Sequence, residues 1–186
     1  MIFNETKLNG NFLIDIERKG DNRGFFARMF CENEFEQFGL NTNWKQANTS
    51  LSVERGSLRG LHAQTNQHAE VKLVRCIKGA IWDVVVDLRK SSSTFGEWFG
   101  AEISEVNRTM MYVPRGFAHG FISLTDDAEI IYLVSNLYSP GNEVTLAWDD
   151  KEVQIDWPIP PTVISEKDQL GLTLQKIKEH HGSGFA

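Results

Sequence analysis

The sequence predicts an all-β fold of the sandwich, jelly-roll or barrel kind. From Leu58 onward, short runs of strand-forming residues recur at regular spacing, broken by turn residues. In the run Ala80 to Leu88, Trp82, Val84 and Val86 alternate against Asp83, Val85 and Asp87, the period of a strand. Helical patterns are few and short. With 186 residues, 41% hydrophobic and 24% charged, the chain is long enough for one domain with a proper core, or for two small ones. The single domain is the expectation, with its core over about 12–170 and a C-terminal helix at about 169–179.

Taken in order, Phe12 to Ile16 reads as a strand, and the turn Gly20-Asp21-Asn22 leads into a second, Phe25 to Phe30. Asn33 can cap a short helix, Glu34 to Phe38, that Gly39 stops. Trp44 to Val53 is β-rich, with Gln46, Asn48 and Ser50 on one face. Polar residues at period two suit the solvent face of an edge strand, and the alternative is a polar site inside a barrel. Lys78-Gly79 marks a tight turn between Leu73–Cys76 and the apolar run Ala80–Leu88. Trp98–Ile103, Met110–Val113, Gly120–Leu124, Glu129–Leu137 and Val144–Trp148 follow as short strands. The stretch Pro158 to Pro161 is a rigid extended linker. Ser165 can cap a turn holding Lys167 and Asp168, Leu170 to Lys178 has the pattern of a small amphipathic helix, and His180 to Ala186 reads as a frayed tail or a cloning remnant.

Composition narrows the function classes. A formal net charge of -6 argues against a general nucleic-acid binder, so an anionic ligand must be held by a local cluster of Arg and Lys. No run of about 18 apolar residues exists, and no membrane partner is expected. The N-terminus lacks the basic-then-apolar pattern of a secretion signal. Cys31 and Cys76 form neither a disulfide framework nor a CxxC metal site, which fits a cytoplasmic, reduced protein.

Residues 57 to 75 pack Arg59, His62, Lys72 and Arg75 into two strand-like segments. If Lys72 to Cys76 is a strand, Lys72, Val74 and Cys76 share one face. A barrel interior that carries Lys72 beside Val74 is lined for chemistry as well as packing. A His that takes a proton and a Lys that steadies an anion suit carbon-acid chemistry next to a carbonyl, whereas a surface hairpin would leave the same charges solvated. Pro114 to His119 has the PxGxxH form of the second cupin motif, whose glycine turn aims the histidine into a barrel, and a satisfied core histidine is the alternative. Metal-binding cupins also need a His-x-His pair and a Glu. His62 and His68 are six apart, so no metal or other cofactor is expected.

Taken together, these stretches resemble the dTDP-4-dehydrorhamnose 3,5-epimerase family of sugar-nucleotide epimerases. The matching segments are Asp21 to Phe26, Gln46 to Ser50, Leu58 to His62, Lys72 to Arg75, Asp83 to Arg89, Ser92 to Gly96 and Pro114 to Phe121. Tyr132, Tyr138 to Pro140, Asp156 to Pro158 and Ser165 to Asp168 follow, in the family's order. The resemblance implies a metal-free cupin jelly roll, a homodimer, and a nucleotide-diphosphate sugar substrate, dTDP-linked. It implies His62 as base, Asp168 as the partner that orients it, Tyr132 as the acid on the other face, and Lys72 as the cation that stabilises the enolate. Arg23, Arg59 and His119 would contact the diphosphate or sugar, with Gln46 and Asn48 adding polar contacts and Asp83 and Tyr138 supporting the site. Phe26, Arg28 and Lys167 complete the implied substrate-binding set.

Each assignment has a plainer alternative: Asp168 as a helix cap, Tyr132 as a core tyrosine, Lys72 and Arg23 as solvated charges. Some positions depart from the family pattern. Arg28 stands where an acidic residue is usual, Ala63 where an aromatic is, and Ala47, Val71 and Leu133 replace Asp, a small residue and Lys. A catalytic set that is intact within altered surroundings implies a nucleotide, a sugar or a number of epimerised carbons that differs from the rhamnose-pathway enzyme. The alternative functions are a metal-dependent cupin isomerase or oxygenase and a sugar-nucleotide-binding module without catalysis.

Overall fold

The structure is a computed structural model that describes residues 1–181 and 184–185. In chain order it runs β1 (Ile2–Glu5), β2 (Phe12–Asp15), β3 (Lys19–Asp21), β4 (Gly24–Phe26), helix α1 (Glu32–Gln37), β5 (Gln46–Ser52) and β6 (Ser57–Gln64). A 3-10 turn at Asn66–His68 precedes β7 (Lys72–Lys78), β8 (Ala80–Asp87), β9 (Trp98–Ser104), β10 (Met110–Val113), β11 (Phe117–Ser123) and β12 (Ala128–Val134). A second 3-10 turn, Pro140–Asn142, leads to β13 (Glu143–Thr145), β14 (Val163–Ile164), α2 (Glu166–Gln169) and α3 (Leu174–His181).

The strands form two six-stranded sheets and a small hairpin. One sheet has the order β1-β2-β10-β7-β12-β5. The other has the order β13-β6-β11-β8-β9, with β14 running parallel beside β6. Among the described residues β3 and β4 pair only with each other. Two facing sheets with peripheral helices are a jelly roll, as the strand spacing predicts.

Alternation explains how each sheet is filled. Val74 and Cys76 of β7, Ile81 and Val85 of β8, Phe117 and Phe121 of β11 and Ile130 of β12 form the core between the sheets. The opposite faces are covered too. Leu73, Met110 and Tyr112 pack under Phe35 of α1, while Val84, Val86 and Leu61 pack under Leu174 and Ile177 of α3. β8 therefore reads as a nearly unbroken apolar run because water meets neither of its faces.

Several boundaries differ from the sequence reading. α1 begins at Glu32, with Cys31 at its N-cap, so Asn33 lies within the first turn and caps nothing. β4 ends at Phe26, and β13 covers only Glu143–Thr145 before Leu146 bridges to Leu172. Leu170 closes α2 as its C-cap and that bridge engages Leu172, so α3 starts at Leu174 instead of Leu170. β1, β3 and β14 carry little alternation of their own and are set by their partners. The tail is not frayed throughout: Phe185 is fully buried in the cluster under the second sheet, and Gly184 accepts a hydrogen bond from the Asn66 amide. The rest of that predicted tail after His181 lies outside the described residues.

The candidate active site

Strands β6 and β11 approach unusually closely at one point, and that approach sets the centre of the site. Gly60 has φ +103, and a Cβ there would sit 2.6 Å from the His119 carbonyl oxygen. Only glycine fits such a position without strain. The ladder shifts register between His119 and Phe121, and this irregularity leaves His62 and His119 directly opposite each other. Leu61 and Ala63 belong to the outer cluster, so alternation turns His62 inward.

Each of these histidines is paired with a carboxylate. His62 Nε2 lies 2.7 Å from Asp168 Oδ1, and His119 Nε2 lies 2.7 Å from Asp83 Oδ1. Asp168 is delivered by α2, whose first turn is capped by Ser165, the Oγ of which accepts from the Asp168 amide at 3.2 Å. Ser165 is thus the cap, as its position predicts, and the Asp168 carboxylate is free for His62. Burial pushes the Asp168 carboxyl upward, but the hydrogen bond and charge of His62 outweigh it and hold the group below its ordinary value. The His62 side chain remains 26% exposed, open to a ligand, while that of Asp168 is 6% exposed.

A cavity of about 560 Å³ opens over this pair. From the second sheet it is lined by His62, His119 and Arg59, and from the first by Lys72, Tyr132 and Ser50. Lys167 and Asp168 close one side. Lys72 and Tyr132 sit on adjacent strands, where Tyr132 pairs with Val74 and Lys72 with Val134, so the two are diagonal neighbours on the inward face. Burial, with help from the Glu70 and Glu143 charges and against that of Arg59, raises the Tyr132 phenol above its usual value. Tyr132 is therefore a protonated donor at neutral pH. Arg59 is tied to β5 through Ser52 Oγ at 3.1 Å and the Leu51 carbonyl at 2.8 Å.

The other predicted residues divide into three groups. Gln46 and Asn48 lie on β5, an edge strand as expected, but their face is half-buried and turned inward while Ala47, Thr49 and Leu51 face water. The solvent-face reading is corrected because Tyr132 of β12 pairs with Asn48 and brings that face over the interior. Gln46 Oε1 accepts from the Tyr138 amide, so it braces the loop after β12. Tyr138 and Lys167 meet at Glu143, whose carboxylate accepts from both. Burial raises the Glu143 carboxyl, yet the Lys167 bond and the His62 and Lys167 charges bring it net below its ordinary value.

Arg23, Phe26 and Arg28 are not in the cavity. Arg23 is 84% exposed and pairs with Asp21 on the β3–β4 hairpin. Phe25 and Phe26 are both exposed, and the guanidinium groups of Arg18 and Arg108 lie against the Phe25 ring. Arg28 faces Glu34 at 3.4 Å. Glu143 and Glu70 belong to the site's surroundings without having been singled out. Glu143 has no local signal, because its place depends on where the chain returns to β6. Among the described residues no three His, Cys, Asp or Glu side chains converge as a metal site would require.

Comparison with known proteins points to one family. A family model described as dTDP-4-dehydrorhamnose 3,5-epimerase matches residues 5–176. A dTDP-4-dehydrorhamnose 3,5-epimerase from Methanothermobacter thermautotrophicus is 45% identical over 170 residues, covering 90% of this chain and 91% of that one. The crystal structure of such an enzyme from Elizabethkingia anophelis superposes with a TM-score of 0.92 at 41% identity, over 95% of this chain and 97% of that one. A 3'-monoepimerase from Streptomyces bikiniensis, solved with dTDP-quinovose, superposes with a TM-score of 0.86 at 33% identity, over 94% of this chain and 88% of its own.

Proposed function

The chain belongs to the dTDP-4-dehydrorhamnose 3,5-epimerase family, and we propose that its cavity epimerises a dTDP-linked 4-keto-6-deoxy sugar at C3, C5 or both. The protein is an isomerase of deoxysugar biosynthesis with a cupin-type jelly roll. The C3 and C5 protons of such a sugar are acidic because the carbanion is delocalised onto the C4 carbonyl oxygen. In this reading His62 removes the proton, and Asp168 orients the imidazole and stabilises its charged form. Lys72 stabilises the enolate oxygen, and Tyr132 returns a proton to the opposite face. Arg59, His119 and Lys167 hold the diphosphate and sugar, with Asp83 fixing the His119 ring and Asn48 offering a polar contact beside Tyr132.

The observation that carries this reading is that a carboxylate-paired His and a protonated Tyr line one cavity from two different sheets, with a Lys beside the Tyr. An inversion needs such an arrangement, because proton removal and return occur on opposite faces. Proton NMR in deuterated water with dTDP-4-keto-6-deoxyglucose tests it. Deuterium at C3, C5 or both establishes the reaction and its regiochemistry together. Absence of exchange would count against this substrate.

We further infer a homodimer in the cytoplasm. Among the described residues the hairpin β3–β4 pairs with no other strand, and it presents Arg23 and Phe26 outward, away from their own cavity, where a second copy could use them. The two free cysteines suit a reducing compartment. Light scattering on the purified protein should give about twice the 21.1 kDa chain mass. A mass of one chain would refute the dimer.

A further inference from the structure

Glu70 stands two residues before Lys72, in the connection that leads into β7, and its side chain is only 11% exposed. One carboxylate oxygen lies 3.4 Å from Lys72 Nζ, and the Lys72 side chain is itself only 12% exposed. The other oxygen accepts from Gln64 Nε2 at 2.9 Å. A carboxylate this sheltered persists only with a cation and a donor to satisfy it, and here it has both. We propose that Glu70 is a positioning residue for the reaction, holding the Lys72 ammonium on the inward face beside Tyr132. This rests on the epimerase reading above and adds to it a residue that never touches the substrate.

The backbone is arranged to keep the pair in place. Val71, between the two, donates its amide to Ser135 Oγ at 2.8 Å, and its carbonyl accepts from the Ser135 amide at 3.0 Å. Both bonds fix the outward residue, so Glu70 and Lys72 are held on the inner side. A Lys side chain has several rotatable bonds and, unpaired, would follow the nearest phosphate. Anchored by Glu70, it stays where an enolate oxygen forms, which is the preorganisation that electrostatic catalysis requires. Gln64 extends the network further. Its amide group also donates to the Leu137 carbonyl and accepts from the Ser139 amide, bracketing Tyr138.

Glu70 also acts on the proton donor. Burial is the main cause of the raised Tyr132 phenol, and the Glu70 charge is the next, with Glu143 adding to it and Arg59 opposing. Lys72, His62, His119, Lys167, Asp168 and Glu54 are the other charged or titratable groups lining the same cavity. Replacing Glu70 by Gln keeps an acceptor for Gln64 and so preserves the fold, but it removes the charge from both Lys72 and Tyr132.

The test compares wild type with Glu70→Gln and Glu70→Asp. Turnover and deuterium uptake are followed from about pH 6 to 11.5, and Tyr132 ionisation is read over the same alkaline range from tyrosinate absorbance against a Tyr132→Phe reference. In Glu70→Gln, kcat should fall roughly 10- to 100-fold with KM changed less than about threefold, and Glu70→Asp should recover part of the loss. The alkaline limb of kcat and the tyrosinate midpoint should both move down by about half a pH unit, because the phenol loses a neighbouring negative charge. A merely structural Glu70 would lower the melting temperature and leave both midpoints unmoved. Wild-type kcat with an unmoved midpoint overturns the proposal and leaves the epimerase reading standing. If wild type itself exchanges no protons, the epimerase reading fails, and the tyrosinate midpoint alone still decides whether Glu70 is coupled to Tyr132.

Discussion

His62 and Tyr132 illustrate how much of the site depends on single side chains. His62 has its carboxylate partner at 2.7 Å and an open face toward the cavity, the arrangement of a general base. His62→Asn should cut proton exchange by about 10³-fold or more while dTDP binding, followed by calorimetry, stays nearly intact. Near-normal exchange would remove His62 from the role of base. Tyr132→Phe separates the two half-reactions. It should still exchange substrate protons with solvent but form little inverted product, because the enolate is then reprotonated from the face it left. Loss of both exchange and product would make Tyr132 structural. Among these residues His62, Lys72 and Asp168 were legible from sequence as residue types in a matching order. Their meeting in space was not, since Asp168 is 106 residues from His62.

Short elements carry these side chains, and their caps and close contacts decide the geometry. α2 is only four residues long and cannot be stable by itself, so Ser165 at its N-cap matters more than a cap on a long helix would. Ser165→Ala should cost about 1 kcal/mol of stability by urea titration. It should also lower kcat more than the lost stability explains, because the capped turn aims the Asp168 carboxylate. Equal kcat in the two proteins would show that other contacts hold Asp168. The edge strand β5 shows where element-level reading reached its limit. Its polar alternation was plain, but alternation does not say which face is inside, and pairing with β12 decided it. Likewise α3 starts later than its amphipathic pattern suggested, because Leu172 was drawn into a bridge with Leu146.

At the scale of the whole molecule, the site's carboxylates tie stability to pH. The Asp168 and Glu143 carboxyls are both held below their ordinary values in the fold. Stability from these groups is complete above the unfolded carboxylate range, near about pH 4, and is lost as pH falls through the lower folded values. Urea midpoints at pH 7 and pH 3 should show that loss. Asp168→Asn should be about 1–3 kcal/mol less stable than wild type at pH 7, with a smaller further drop on acidification. An acid-induced drop of the same size in both proteins would place the titrating groups elsewhere.

The sequence by itself determined the fold class and the chemical inventory. Strand periodicity, glycine turns and the ordered set of Arg59, His62, Lys72, His119, Tyr132 and Asp168 are local or nearly local features, readable one segment at a time. Tertiary structure alone decided which polar faces turn inward, which carboxylate serves which histidine, and that Arg23 and Phe26 lie away from their own cavity. It also brought Glu70 and Glu143 to the site. The physical reason is that a strand's alternation defines two faces without saying which is buried. Only pairing between distant strands, fixed at Gly60 and along β5–β12, makes that choice.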